Sequence, residues 1–191
     1  FGTAVFNLGF KFCQNLDISK SREIDTLADQ AALETIARAA VALGCKSVAF
    51  TYNDPVIFME YAVDVARECR QRGVKAVAVT AGEICPEPRK EFFRHIDAAN
   101  VDLKGFSERF YSEICLGHLQ PVLDTLVYLK RHTDVWFEIT TLLIPGENDS
   151  DSELDEMTRW PALSGPVCRC ISTLSTPTSA CSTRRARRQA R

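Results

Sequence analysis

Residues 74–80 read VKAVAVT, and this short apolar run decides the fold class. Alternating valine and alanine suit a strand that is covered on both faces, as strands of parallel sheets are. The run follows a helical pattern over residues 56–72 that stops at Gly73, and glycine commonly terminates helices. A buried strand directly after an amphipathic helix is part of a βαβ unit.

The same alternation continues on both sides of this run. Further helices are predicted at 33–43, 87–96, 120–131 and 152–160, and further strands at 47–52, 99–103 and 135–144. Strands and helices that alternate through short links predict an α/β fold with a parallel sheet and right-handed crossovers. The pattern fits an open doubly wound sheet or a partial or complete (β/α) barrel. Both place functional residues at the carboxyl ends of the strands.

The charge of the chain is divided between two unlike parts. The 191 residues carry a net charge of −2, but residues 1–165 contain 17 basic and 25 acidic residues, whereas residues 166–191 contain six arginines and no acid. The second part also lacks apolar periodicity. We interpret 1–165 as the folded domain and 166–191 as an aberrant, disordered tail translated out of frame, with a genuine basic tail as the alternative. The predicted barrel then lacks a proper last strand, and its start at Phe1 predicts truncation at the N-terminus.

Composition excludes several other classes of protein. No apolar run reaches the length of about 18 residues that suggests a membrane span. There is no secretory signal and no glycine-rich phosphate loop. Cys45, Cys69 and Cys115 lie in apolar stretches that predict buried, reduced thiols. We therefore expect a cytoplasmic protein that binds neither membranes nor nucleic acid.

Polar residues stand where the predicted strands end. Asn53 and Asp54 follow the first strand, and Thr80 ends the second. Asp102 and Lys104 are two residues apart in the third strand and therefore share a face. A charged pair inside an apolar strand is costly unless it is paired or used. The pattern indicates either a structural ion pair or a functional site.

The residue pattern alone also allows an unrelated, metal-free (β/α) enzyme. Asp102, Lys104 and Glu138 would then act as acid and base groups. The three histidines are predicted on or beside helices and away from the carboxyl ends of the strands: His95, His118 and His132.

Residues 6–15 read FNLGFKFCQN and resemble the Cys-x3-Cys-x2-Cys loop of radical S-adenosylmethionine (SAM) enzymes, with Phe6 and Phe10 in place of two cysteines. The resemblance covers about residues 1–160. It is strongest to the AmmeMemoRadiSam-system radical SAM enzymes, which are similar to pyruvate formate-lyase activating enzymes. Later segments that carry it are AFTYNDP (49–55), VTAGEICPEP (79–88), NVDLK (100–104) and ITTLLIPGENDSD (139–151).

The resemblance implies two cofactors, a [4Fe-4S] cluster and SAM. In the family, three thiolates hold the cluster, the open iron chelates SAM, and reduction yields a 5′-deoxyadenosyl radical. By position, the resemblance makes Cys13 a metal ligand and Phe12 an aromatic neighbour of the adenine. It places Asn53 and Asp54 at the methionine amino group, and Thr80, Asp102 and Lys104 around the carboxylate and ribose. The partners it implies are SAM, an unknown protein or small-molecule substrate, and AmmeMemo-system proteins.

The sequence departs from the family where the cluster should bind. Iron–sulfur clusters need thiolate ligands, and Phe6 and Phe10 offer no lone pair. Cys85 and Cys115 do not lie in the loop and do not restore its spacing. We expect this chain to be cluster-free and inactive. The alternative is a non-catalytic (β/α) domain that binds a partner protein, or SAM without a cluster.

Overall fold

The computed structural model describes residues 32–160 and the backbone of residues 168–174. Its elements, in chain order, are α1 (Leu33–Ala42), β1 (Ser47–Phe50), a 3₁₀ turn (Pro55–Phe58), α2 (Met59–Gln71), β2 (Lys75–Thr80), α3 (Pro86–Phe93), β3 (Ala98–Asp102), α4 (Glu108–Phe110) continued by a π-helical turn (Tyr111–Cys115), α5 (Leu119–His132), β4 (Trp136–Leu143), α6 (Asp151–Arg159) and β5 (Cys168–Leu174). Each predicted helix and strand is confirmed, with bounds shifted by a few residues.

The five strands form one parallel sheet in the order β1-β2-β3-β4-β5. Each strand therefore lies beside the strand that precedes it in sequence. A doubly wound sheet would reverse direction at a switch point, and no reversal occurs in these five strands. The α/β fold is confirmed, and its winding in one direction is that of a partial (β/α) barrel.

The two faces of the sheet differ in burial. A row in register across the first four strands is fully buried on one face and consists of Phe50, Ala78, Ala99 and Phe137. The small alanines in the middle of the row leave room for helices to pack against this face, between the large rings at its two ends. On the opposite face, strand residues such as Val79 are only half-buried. We call these the helix-covered face and the concave face.

Glycine is required at two bends of the chain. Gly73 ends α2 at φ +74°, which side chains other than glycine rarely adopt. Gly82, just after β2, has φ +77°, and a Cβ there would lie 3.0 Å from Val101 Cγ1. Both bends therefore bring the chain sharply back to the sheet.

Residues 168–174 differ from the sequence expectation. They belong to the segment interpreted as an aberrant tail without a last strand, yet their backbone forms β5 and pairs with β4 along its full length. An unpaired edge of β4 offers a row of backbone donors and acceptors that many sequences can satisfy. Ile171 and Thr173 are β-branched and suit a strand. A segment can therefore pair with the edge of β4 without any apolar periodicity in its own sequence.

The helices of residues 32–160 are short. α5, at 14 residues, is the longest of them, and within the described ranges no helix has the length and apolar character to cross a bilayer.

Candidate functional site at the carboxyl ends of the strands

Asp54 ties the carboxyl ends of β1 and β2 together. Its Oδ1 accepts a hydrogen bond from Thr80 Oγ1 at 2.8 Å and from the backbone N–H of Val56 at 3.2 Å. Its Oδ2 accepts one from the backbone N–H of Ala81 at 2.8 Å. The side chain is 1% exposed, so the three donors replace the water that the carboxylate loses. Both oxygens of Asp54 are engaged by the protein.

Burial raises the pKa of the Asp54 carboxyl, and the nearby charge of Asp102 acts in the same direction. The hydrogen bonds from Ala81, Val56 and Thr80 act in the opposite direction. Thr80 lies on the helix-covered face, because it alternates with the buried Ala76 and Ala78. Thr80 and Asp54 therefore join two strand ends. The place of Thr80 around the SAM carboxylate and ribose stays a prediction.

Asn53 is the unusual residue of this group. It is 1% exposed, yet neither its Oδ1 nor its Nδ2 has a hydrogen-bond partner in the described structure. Tyr52, just before it, has φ +72°, a left-handed conformation that is costly for a large side chain. A buried primary amide without partners is destabilising. This arrangement fits a ligand that supplies the missing donor and acceptor.

Asp102 and Lys104 form an ion pair at the end of β3. Lys104 Nζ lies 2.6 Å from Asp102 Oδ2, and the two side chains are 14% and 28% exposed. Both alternatives from the sequence remain compatible with this geometry, since the residues are paired and also reach solvent. Asp102 lies close enough to Asp54 to raise its pKa. The structure therefore brings Asn53, Asp54, Asp102 and Lys104 to the same edge of the sheet.

Two buried residues that the sequence did not single out hold the backbone of Lys104. Its N–H donates to Tyr111 Oη at 3.1 Å, and its carbonyl accepts from Asn148 Nδ2 at 2.6 Å. Asn148 also donates to the carbonyl of Leu142 and accepts from the N–H of Ile144. The loop after β4 is thereby fixed to the end of β3. The only sequence signal for Asn148 was its position in a turn after a strand.

The concave face carries a polar pair one step below the strand ends. Asn100 and Glu138 are partners in the register of β3 and β4. Asn100 Nδ2 donates to Glu138 Oε1 at 2.7 Å and to Thr140 Oγ1 at 2.8 Å. All three residues are half-buried. The sequence pointed to Glu138 but not to its partner, because only the register shows which residues face each other.

The prediction that all histidines lie away from the strand ends is wrong for His118. It precedes α5, and its backbone N–H donates to Glu83 Oε1 at 3.2 Å, just after β2. Its Nδ1 lies 2.9 Å from Glu108 Oε1, which raises the pKa of His118. A helix that returns from a parallel strand starts at the carboxyl side of the sheet, and this brings His118 there. His132 lies at the opposite side, beside Trp136.

The cysteines follow the prediction in part. Cys69 and Cys115 are buried, and burial raises the pKa of Cys115 to about 12, which keeps it a thiol. Cys45 is exposed, contrary to the prediction, because it lies in the turn between α1 and β1. Cys85 is also exposed. Within residues 32–160 no three His, Cys, Asp or Glu side chains are grouped to hold a metal ion.

One cavity of about 990 Å³ lies away from these residues, at the amino ends of β3 and β4. Phe93, Tyr128 and Trp136 line it together with charged side chains. In singly wound parallel sheets, function is concentrated at the carboxyl ends. We therefore assign the candidate functional site to the carboxyl ends of the strands, where Asn53 lies, and not to this large cavity at the amino ends.

Comparison with known proteins identifies the family. The model of the radical SAM superfamily matches residues 11–158, which is more than half of the chain. The chain belongs to the radical SAM superfamily. Membership implies [4Fe-4S]-dependent cleavage of SAM as the chemistry of the family.

Individual proteins are also similar to this chain. The uncharacterized protein MJ0808 of Methanocaldococcus jannaschii is 32% identical over 142 residues, 74% of this chain and 41% of that protein. This radical SAM chain thus spans about two-fifths of the length of its relative. A domain of the pyruvate-formate lyase-activating enzyme from Bacteroides vulgatus superposes with a TM-score of 0.58 at 19% identity, covering 72% of this chain and 88% of that one.

The fold is also similar to Streptococcus suis SuiB bound to precursor peptide SuiA. The TM-score is 0.64 at 14% identity, over 82% of this chain and 34% of that one. At such identities the two solved structures show the radical SAM fold alone.

The two cofactors of the radical SAM superfamily fit this chain unequally. The unpartnered amide of Asn53, at the same edge of the sheet as the Asp102–Lys104 pair, suits the amino and carboxylate groups of SAM. The cluster loop, with Phe6, Phe10, Phe12 and Cys13, lies outside the described residues. Its donor set, one thiol and two phenylalanines, does not fit a [4Fe-4S] cluster.

Proposed function

We propose that this chain is a radical SAM domain of the activating-enzyme type, related to the AmmeMemoRadiSam-system enzymes, that binds SAM and is catalytically inactive as written. The observation that carries SAM binding is the buried, unpartnered amide of Asn53 at the carboxyl end of β1. A ligand with an ammonium and a carboxylate supplies both a donor for Oδ1 and an acceptor for Nδ2.

The residues around this amide have distinct tasks in the proposed site. Asp54 does not need to touch the ligand, because its oxygens already hold Thr80 and Ala81 and thereby fix the loop that carries Asn53. Lys104 offers a positive charge to the SAM carboxylate, and Asp102 orients that ammonium at 2.6 Å. Tyr111 and Asn148 keep the backbone of Lys104 in place. Phe12 is proposed to contact the adenine.

In intact relatives the reduced cluster supplies the electron that cleaves SAM. Cys13 is the one proposed ligand of that cluster in this chain, and no step of cleavage is assigned to it. The substrate is a protein or small molecule. The proposal also includes AmmeMemo-system partners and a cytoplasmic location. It places the core of the domain at 1–165, to which β5 adds one strand, and assigns an out-of-frame origin to residues 166–191.

Asparagine-to-alanine substitutions at two buried positions test SAM binding. We expect Asn53→Ala to weaken SAM binding about tenfold or more, because a hydrogen bond to a charged group is lost. It should not lower the free energy of unfolding, since Asn53 has no hydrogen-bond partner among the described residues to lose. Isothermal titration with SAM and urea unfolding measure the two quantities.

Asn148→Ala is the matched control. It removes an equally buried asparagine whose amide is fully bonded, so we expect a loss of about 1–3 kcal/mol in unfolding free energy. If the natural chain does not bind SAM, or if Asn53→Ala is destabilised with unchanged SAM affinity, the proposed SAM site is wrong.

Restoring cysteine tests the cluster. We expect no stoichiometric iron or sulfide in the anaerobically reconstituted natural chain, and both in the double variant Phe6→Cys/Phe10→Cys, because three thiolates are then present in the loop. A double Phe→Ser variant controls for the loss of the rings. A cluster in the natural chain would contradict the proposed inactivity.

A further inference from the structure

The concave face presents a polar arrangement that SAM binding at the strand ends does not use. Asn100 donates both hydrogens of its Nδ2, one to Glu138 Oε1 and one to Thr140 Oγ1. This fixes the orientation of the amide, since turning it over would set Asn100 Oδ1 against the carboxylate oxygen. Among residues 32–160, neither Asn100 Oδ1 nor Glu138 Oε2 takes part in these hydrogen bonds.

These two unused oxygens are both acceptors on neighbouring strands. Asn100 and Glu138 are partners in register, so their side chains project from the same face. Both are half-buried, and they lie on the face that the helices leave uncovered. The cross-strand bond from Asn100 uses one oxygen of the Glu138 carboxylate, and the second oxygen is not needed for it.

The pair lies one pleat below the strand ends. Asp102 and Thr140 are the next register pair on the same face, two residues further along β3 and β4. Two residues of a strand span about 6.6 Å. A molecule that contacts Asn100 and Glu138 would therefore lie deeper in the concave side than one held by the Asp102–Lys104 pair, and both could be bound together.

The geometry points to a subsite at Asn100 and Glu138 for a cationic nitrogen, a primary ammonium, of a molecule that this domain binds. A carboxylate oxygen and an amide oxygen accept hydrogen bonds from an ammonium, which has three donors and no acceptor. Charge-assisted bonds of this kind are among the strongest that proteins make. A carboxylate or phosphate would meet only acceptors here and is disfavoured.

The inference rests on the proposed function and deepens it, since it names the chemistry of a second molecule bound beside SAM. The probe for the test is butylammonium chloride, with butanol and sodium butyrate as a neutral and an anionic analogue. Each is titrated into the isotopically labelled full chain, and the side-chain amide signals of Asn100 are followed by NMR. We expect saturable shifts with butylammonium and none with the two analogues.

Two glutamate-to-glutamine substitutions locate the effect. Glu138→Gln should weaken butylammonium binding about tenfold or more, because the charge of the acceptor is removed while its shape is kept. Glu156→Gln makes the same charge change on the exposed side of α6 and should leave binding unchanged. Far-UV circular dichroism and SAM affinity check that Glu138→Gln is folded.

The register also sets Arg169 of β5 beside Glu138, which gives a further variant. Arg169→Gln should leave butylammonium binding unchanged or tighten it, since it removes a positive charge from the strand that pairs with β4. Weaker binding in this variant would contradict a site made of Asn100 and Glu138.

The inference is overturned if butanol binds as well as butylammonium, if Glu138→Gln retains full affinity, or if Asn100 shows no saturable shift. Its failure differs from failure of the proposed SAM site. SAM binding that depends on Asn53, together with no ammonium binding, rejects only the subsite. Ammonium binding that depends on Glu138, without SAM binding, rejects only the SAM site.

Discussion

The two faces of the sheet are built from the same strands and differ in what each can do. On the helix-covered face, Phe137 and its register partner Ala99 are almost completely buried and contribute to the core. One residue along each strand, Glu138 and Asn100 face the concave side, half-exposed and hydrogen-bonded to each other. Because side chains alternate along a strand, stability and chemistry are separated by a single residue.

This separation predicts that neighbouring residues respond very differently to substitution. Three variants test it, in order of decreasing effect on stability.

Phe137→Ala should have the largest effect. Removing a fully buried ring costs about 3–5 kcal/mol of unfolding free energy, because the surrounding side chains cannot fill the cavity. Trp136→Ala is the matched control on the other face, since Trp136 is 49% exposed and should cost less than half as much. Urea unfolding measures both. Equal losses would show that the concave face is packed as tightly as the core.

Asp54→Asn should have an intermediate and pH-dependent effect. The asparagine keeps an acceptor for Thr80 but sets an N–H₂ against the N–H of Ala81, at a cost of about 1–3 kcal/mol. Burial raises the pKa of Asp54 in the folded protein, so the folded state binds the proton more tightly than the unfolded state. Asp54 therefore makes its full contribution to the free energy of unfolding below its unfolded pKa of about 3.8. This contribution falls as the pH rises through the pKa of the folded state.

We therefore expect the destabilisation by Asp54→Asn to be greatest near pH 4 and to decrease toward neutral pH. Urea unfolding of both proteins across this range measures the difference. Thr80→Val, which removes one bond without a titrating group, should show a cost that stays nearly constant. A destabilisation that grows with pH would mean that the hydrogen bonds outweigh burial and lower the pKa of Asp54.

Lys104→Met should have the smallest effect on stability and a clear effect on the ligand. The ion pair with Asp102 is partly exposed, so we expect a loss of about 1 kcal/mol. SAM affinity should fall about tenfold, because a charge-assisted bond to the carboxylate is lost. Arg159→Met, in the exposed pair with Asp155, serves as control and should change neither. Unchanged SAM affinity in Lys104→Met would assign the pair a structural role alone.

The sequence predicted the elements well because their signals are local. The apolar run at 74–80 and the glycine at 73 depend only on adjacent residues, and both predict the observed helix and strand. The clustering of Asn53, Asp54 and Asp102 could also be predicted, since parallel strands bring their carboxyl ends to one edge. Strand β5 was not foreseen, because edge pairing uses backbone groups that leave no mark on side-chain pattern.

Contacts between residues that are far apart in the sequence could not be predicted from local patterns. Asn148 lies 44 residues from the carbonyl of Lys104 that it binds, and Asn100 lies 38 residues from Glu138. Tyr111 accepts the hydrogen bond from the Lys104 N–H at the start of a π-helical turn, which the residues of that turn do not predict. Each is an ordinary residue type in the sequence, and only the folded chain shows which group it meets.

The sequence by itself determined the class of the protein: alternating strands and helices, polar strand ends, and a cluster loop with two cysteines replaced by phenylalanine. The strands and helices follow from periodicity, and the cluster loop was identified by its resemblance to the radical SAM family. The tertiary structure decided the rest. It wound the sheet in one direction, left the amide of Asn53 buried without a partner, and set Asn100 against Glu138. Burial and register depend on all strands together, and so no single segment could specify them.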